Sequence, residues 1–194
     1  ILPFSKIFFR LAIPNLFSTL MSSATVIFDL WYVGLIGMSE LAGVAYIFPI
    51  FMLTSMLSNG AFGGAISGAT ARAFGSKNIF QAECVFRSAV LIAISGSVIM
   101  MFLFFSFAEA FFSSFIIDSD VVVSTLSYGN ILLTGIILIW LFNIIISVTR
   151  GSGNTLVPAI GWFIVLFSHI IMASLNLDYN DGQLLLKENI KLFD

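Results

Sequence analysis

One carboxylate stands where an ionised group is costly. Asp29 falls inside the long apolar stretch that runs from Leu11 to Val33, and no other acidic or basic residue interrupts that stretch. An ionisable side chain at membrane depth marks an ion or substrate pathway, a proton relay or a counter-ion. Counting back from Asp29 by helical steps of three and four gives Thr25, Ser22, Ser18 and Asn15. On one helix that spacing sets all five on a single face. A polar stripe ending in a lone carboxylate suits a transport pathway, in which Asp29 exchanges a proton or holds a cation. The bland alternative is an Asp29 that snorkels to the headgroups, since it lies one helical turn before Val33. Snorkelling, however, has no use for Ser22 or Ser18 beneath it.

Other polar residues lie at comparable depth. Ser127, Asn130 and Thr134 share one face of their apolar segment, and Asn143 and Ser147 share a face of the same segment further on. Such side chains most often bond to neighbouring helices. His169 is the single histidine. With an ordinary pKa of about 6.5, an imidazole can relay protons, so His169 is a candidate proton-relay residue, although a lone His is more often simply hydrogen-bonded. Trp31 and Tyr32 fit an interfacial aromatic belt, and Tyr32 is close enough along the helix to bond Asp29.

The elements that position these residues follow from composition. The chain has 194 residues, of which 59% are hydrophobic and only 9% charged, against about 25% charged in a soluble domain. Its mean hydropathy is +1.09. A spanning helix needs about 20 mainly apolar residues. Five segments qualify, at 11–33, 41–67, 85–108, 122–149 and 156–177. They are too long for barrel strands of about 9–11 residues and do not alternate strictly. The expected fold is therefore all-α, a polytopic membrane helix bundle. Residues 178–194 change composition abruptly and read as a polar tail that does not span.

Loop charges orient the bundle. Lys6, Arg10, Arg72, Lys77, Arg87 and Arg150 all fall on one side of a five-helix zigzag, while the opposite loops, 34–40 and 109–121, carry no Lys or Arg. The positive-inside rule then predicts a cytoplasmic amino terminus. Pro14 and Pro49 fall inside predicted helices, where each removes a backbone donor, and Pro14 is a candidate hinge. Pro158 sits in a first turn, where it is tolerated. Gly60, Gly64 and Gly68 recur every four residues, which predicts a close helix–helix packing face.

Several functions are excluded or disfavoured. No phosphate-binding loop, nucleophile elbow or His-Glu-x-x-His pattern occurs, so an enzyme is not expected. One cysteine, Cys84, rules out an intrachain disulfide, and one histidine disfavours a metal centre. No basic cluster suits nucleic acid. Gly151-Ser152-Gly153-Asn154 reads as a helix connector with Asn154 or Thr155 as the cap. The chain starts at Ile1, without a methionine, which reads as a fragment or processed product.

Motifs then carry a resemblance. Leu11-Ala12-Ile13-Pro14, Phe28-Asp29-Leu30-Trp31-Tyr32-Val33-Gly34, Leu35-Ile36-Gly37 and Leu41-Ala42-Gly43-Val44 resemble the start of a multidrug and toxic compound extrusion (MATE) transporter. So do Gly68-Ala69-Thr70-Ala71-Arg72-Ala73-Phe74-Gly75 and Arg150-Gly151-Ser152-Gly153-Asn154-Thr155 with Pro158. The resemblance implies five of the six helices of a first lobe, with the second lobe missing. It implies a plasma-membrane antiporter that alternates access, exporting amphipathic, often cationic small molecules against proton or sodium entry, with no other cofactor. Asp29 stands at the family's cation-coupling position, with Tyr32, Thr25, Ser22 and Asn15 as pathway residues and Asn143 or His169 as helpers. Pro14 matches the family's kink-forming proline. Some members carry an Asn and, four residues on, an Asp in the fifth helix. Counting from Pro158 puts His169 and Ala173 there, while a register shift would bring in Asn176 and Asp178 instead. Two alternatives are a lipid-linked oligosaccharide flippase, disfavoured because no Lys or Arg lies deep inside a predicted span (Arg87 stands only at the start of the third), and a non-transporting membrane interaction protein.

Overall fold

The computed structural model describes the backbone of residues 4–191 and, within it, the side chains of residues 8, 9 and 12–174. Every regular element among these residues is helical, as alternation-free apolar runs require. In order they are α1 (Phe4–Ile36), α2 (Met38–Ser55), a π-helical turn (Met56–Phe62), α3 (Gly63–Gly75), α4 (Ile79–Ser113), α5 (Ser119–Thr134), α6 (Ile136–Gly151) and α7 (Leu156–Lys191). Four stretches are long and apolar enough to cross a bilayer: Ala12–Ile36, Met38–Gly75, Ile79–Ser113 and Leu156–Ser174. The pair α5 and α6 makes a fifth if the two count as one bent span.

Two of the five predicted spans are thus more articulated than their sequence suggested. The fourth bends by 48° between α5 and α6. Gly135 is the joint, at φ −82° and ψ −3°; its N–H still bonds the Ile131 carbonyl at 3.2 Å, and α6 begins at Ile136. The second span widens into the π turn, which contains Ser58, Asn59 and Gly60. Pro14 and Pro49 both lie inside helices that continue past them, as membrane helices allow when neighbours and hydroxyls absorb the freed carbonyl. Of the connectors, the one before α7 is built as expected. Gly153 takes a left-handed φ of +85°, which glycine reaches without steric cost. The Asn154 side chain then accepts from the backbone N–H of Leu156 and Val157, at 3.1 and 3.3 Å. The polar tail at 178–194 falls beyond the described side chains; its backbone continues α7 as far as Lys191.

The core lies among α2 to α6. Ile47, Ile66, Ala93, Phe104, Phe112, Leu133, Ile136, Trp140 and Ile144 form one buried cluster, to which no described residue of α1 or α7 contributes. Its close approaches depend on glycine. A Cβ on Gly96 would run into the Trp140 ring, and one on Gly43 would sit 2.8 Å from the Thr125 backbone nitrogen. The stripe Gly60, Gly64 and Gly68 is not such a face within this chain, contrary to the expectation. Gly60 and Gly64 have open space where a Cβ would be, and Gly68 meets only the tip of Arg72. The packed glycine of that segment is Gly63, against Ser147 Oγ. The period of four was right, but the face that meets α6 is one residue away from it.

The remaining two helices pair with each other. α7 packs mainly along α1, with a smaller contact to α6, and α1 also touches α2. Asp29 meets His169 and Tyr32 meets Ala173, so residue numbers rise together along the contact and the two helices run parallel. A first and a fifth span must run parallel in any zigzag of five.

Candidate functional site

Asp29 is brought to its place by α1, which delivers it to the seam between the α1–α7 pair and the core bundle. Its Oδ1 lies 2.9 Å from Nδ1 of His169, 140 residues away in sequence. The two side chains are 42% and 44% accessible in the isolated chain, so neither is sealed in the packing. Beside them is a cavity of about 210 Å³ lined by Phe28, Asp29, Tyr32, Val33, Tyr128, His169 and Ala173. Three elements build it: α1 supplies four of these residues, α7 supplies His169 and Ala173, and α5 supplies Tyr128.

The local helix geometry explains the grouping. Asp29 and Tyr32 are three residues apart, and His169 and Ala173 four, so each pair shares a helix face. Asp29 meets His169 at one level. One turn further on, the Tyr32 hydroxyl donates to the Ala173 carbonyl at 3.0 Å. Tyr32 therefore reaches across to α7 and does not bond Asp29. Trp31, on the other side of α1, is exposed and tilts against Phe28 at 5.8 Å between ring centroids, in keeping with a lipid or interface position.

Of the residues singled out by spacing, the structure brings Asp29, Tyr32 and His169 together. Ala173, the other position reached by counting from Pro158, joins them. Asn176 and Asp178 lie outside the described side chains.

The lower stripe does not join that cavity. Thr25 is buried and donates to the Met21 carbonyl at 2.9 Å; Ser22 donates to the Thr19 carbonyl at 2.8 Å. Asn15 is exposed, and its carbonyl accepts from Thr19 at 3.0 Å. Ser18 is buried with no partner for its hydroxyl. Asn143 sits elsewhere as well. It is buried on α6, and its Nδ2 donates to Ser58 Oγ in the π turn at 2.8 Å. There it fastens α6 to the one irregular turn of the second span. Thr134 donates to the Asn130 carbonyl at 2.6 Å, so its hydroxyl is spent within α5.

Tyr128 was missed. The face read from α5 was Ser127, Asn130 and Thr134, but it is the intervening phenol that turns toward α1 and α7. The available signal was its chemistry, a tyrosine with its polar hydroxyl inside an apolar run, next to Gly129, which packs directly on Phe104 and Ile47.

The donor set has a definite chemistry. One carboxylate, one imidazole and two phenols face a small cavity, with an otherwise aromatic and aliphatic wall. Among the described residues, no group of three or more His, Cys, Asp or Glu is placed to hold a metal ion. The arrangement can bind and release a proton, and its carboxylate can attract a cation.

Comparison with known proteins agrees with this architecture. Residues 14–175 match the MatE family. No curated protein sequence matches the chain. Among solved structures, the chain is similar to an outward-facing multidrug resistance MATE family transporter of the MOP superfamily, with TM-score 0.80 and 23% identity over 87% of this chain and 37% of that one. It is similar to a MATE protein in a bent conformation, with TM-score 0.79 and 23% identity over 87% and 38%. A MOP superfamily transporter from Pyrococcus furiosus Vc1 (DSM3638), whose reversed pocket polarity suggests a different function, gives TM-score 0.75 and 22% identity over 87% and 37%. The chain thus spans little more than a third of these solved proteins. Its helices, their order and the position of the family match agree, and the chain belongs to the MatE family, the multidrug and toxic compound extrusion transporters, as a multi-pass membrane protein.

Proposed function

We propose that this chain forms the ion-coupling half of a secondary exporter, which moves amphipathic, often cationic small molecules outward against entering protons or sodium ions. The observation that carries the reading is the placement of Asp29. Its carboxylate lines a cavity at a helix seam and faces His169. An intramembrane carboxylate beside a cavity suits ion coupling. Tyr32 and His169 act with it from α1 and α7. Asn15, Ser22 and Thr25 continue the same face of α1 toward its amino-terminal end and mark the route below the site. Pro14 lies on that route as the hinge, and Asn143 supports the second span from behind.

The partner in this reading is a second lobe, which closes the other wall of a central cleft, so that the two lobes rock and expose it to each side in turn. The protein sits in the plasma membrane with its amino terminus in the cytoplasm, as the loop charges favour. Substrate specificity belongs to the cleft, whose apolar walls accept many shapes.

The test is Asp29→Asn in the protein that contains this chain. Ion-driven export of a cationic dye should be abolished, with membrane abundance unchanged. Drug resistance at wild-type level in that variant would end the assignment. Cysteines at positions 22 and 25 separate a pathway from a purely structural contact: labelling from the aqueous side supports the pathway, and protection at both supports a membrane interaction protein.

A further inference from the structure

We infer that Arg150 and Thr70 form a seat for the phosphate of an anionic phospholipid, at the end of the bundle that carries its basic loops. The seat is separate from the Asp29 cavity and does not rest on the exporter reading.

A column of close contacts between α3, the π turn and α6 leads to it. Ser58 meets Asn143 at 2.8 Å, Gly63 lies against Ser147 Oγ, and Gly151 packs on the Ser67 carbonyl and on Thr70. Residue numbers rise together along this column, so α3 and α6 run parallel and end side by side. A Cβ on Gly151 would stand 2.7 Å from the Thr70 Cβ. The Thr70 side chain therefore lies against the backbone next to Arg150.

Both side chains are left with unspent hydrogen bonds. Arg150 Nε and Thr70 Oγ1 are buried without a partner among the described residues, and Thr70 is only 2% exposed. Hydroxyls inside helices commonly bond back to their own ladder. Thr19, Thr25, Thr54, Thr125, Thr134 and Thr149 each donate to a carbonyl three or four residues earlier. Among the described helical threonines Thr70 alone does not. A buried polar group without a partner calls for one that the chain does not supply. Arg150 is partly exposed, so its buried Nε is the neck of an arm whose terminal nitrogens reach the surface. That arm makes no ion pair with a described residue.

The surrounding charge selects an anion. Glu83 is paired with Arg87 at 3.7 Å, and Asp29 faces His169. The other described acids, Glu40, Glu109, Asp118 and Asp120, stand in or beside the loops at the opposite end. Arg150 is thus left without a counter-ion, and Arg72 and Lys77 add positive charge where α3 ends. A planar guanidinium matches two phosphate oxygens at once, and the Thr70 hydroxyl donates to an oxygen of the same group. Exposed Ile79 and Phe80 follow Lys77 at the start of α4. Apolar side chains beside basic ones favour a phosphate that carries acyl chains over a free one. Basic pockets between membrane helices are a known seat for anionic headgroups.

The test uses the protein containing this chain, purified in detergent and stripped of lipid. It is titrated with dioleoylphosphatidylglycerol, and bound lipid is counted by native mass spectrometry. Arg150→Gln should raise the half-saturating concentration of the tightest-bound lipid about tenfold, the loss of a charged hydrogen bond. Thr70→Val should raise it about threefold. Arg87→Gln, whose arginine already has Glu83, should leave it unchanged. Arg150→Lys is the second variant should the first fold poorly; it keeps the charge, loses the planar fork and should still weaken binding. Wild-type affinity in the folded Arg150 variants overturns the inference. So does equal weakening by Arg87→Gln, which would reduce the seat to general surface charge, or equally tight binding of dioleoylphosphatidylcholine. Inorganic phosphate that binds alone and displaces the lipid, with the same loss in Arg150→Gln, would overturn the lipid and give the seat to the free anion.

Discussion

The Tyr32 hydroxyl on α1 donates to the Ala173 carbonyl on α7 at 3.0 Å, one helical turn beyond the level at which Asp29 meets His169. Two successive polar contacts therefore join a pair of parallel helices whose described residues lie outside the main hydrophobic core. The pair holds together partly through groups whose charge or hydrogen bonding can change.

Removing the Tyr32 hydroxyl tests the structural half of that statement. Tyr32→Phe keeps the ring against the cavity wall and deletes the bond to Ala173. Polar contacts between membrane helices are worth about 0.6 kcal/mol on average and at most about 1.7. A small fall in thermal midpoint is expected in detergent, with export slowed but present. Asp29→Asn should show the opposite pattern, with stability kept and export lost. A Tyr32→Phe variant as inactive as Asp29→Asn would move the phenol from fastening to coupling.

Asn143 and Ser58 form the buried polar contact between α6 and the π turn. Losing one partner leaves the other without its mate in an apolar setting, which costs more than losing both. Asn143→Ala and Ser58→Ala should each destabilise by roughly 0.6–1.7 kcal/mol, and the double variant should cost clearly less than the sum. Strictly additive costs in thermal or denaturant unfolding would show that the 2.8 Å contact contributes nothing.

Length and hydropathy made the helices legible. Segments such as 85–108 are too apolar and too long to be anything but a span, and the observed α4 contains that segment whole. Asp29 was legible because solvation physics isolates it. The breaks were harder. Gly135 interrupts a continuous apolar run, and nothing in the hydropathy of 122–149 distinguishes a glycine that bends a helix from one that merely packs. The stripe of Gly60, Gly64 and Gly68 has the period of a packing face but looks onto open space, because periodicity gives a helix face and not its neighbour. The contact between Asp29 and His169 spans 140 residues. Counting from Pro158 marked the position, but only the parallel register of α1 and α7 puts the ring on the carboxylate.

Gly96 and Gly64 separate packing glycines from exposed ones. Gly96 lies against the rigid indole of Trp140, which is itself buried in the core. Gly96→Val should overpack that contact and cost roughly 1–3 kcal/mol. Gly64→Ala meets open space within this chain and should change its stability by no more than about 0.5 kcal/mol. Thermal unfolding of the purified variants decides both. Equal losses at the two positions would mean that the Gly64 face is covered by something that contributes to folding.

Tyr128 is the α5 wall of the cavity and the residue that connects the α1–α7 pair to the bundle at the level of Asp29. Its aromatic face and its hydroxyl offer a cation two kinds of attraction, ring quadrupole and oxygen lone pair. Tyr128→Phe keeps the first and deletes the second. If the phenol only fills space, the substitution is silent. If it helps hold a substrate or order the carboxylate, the apparent KM for ethidium should rise roughly fivefold, the effect of about 1 kcal/mol, with the maximal rate nearly kept. Tyr128→Leu removes both attractions and should raise KM further. Transport kinetics at matched protein abundance would distinguish these cases. An unchanged KM in both variants would remove Tyr128 from the site and leave its wall to α1 and α7 alone.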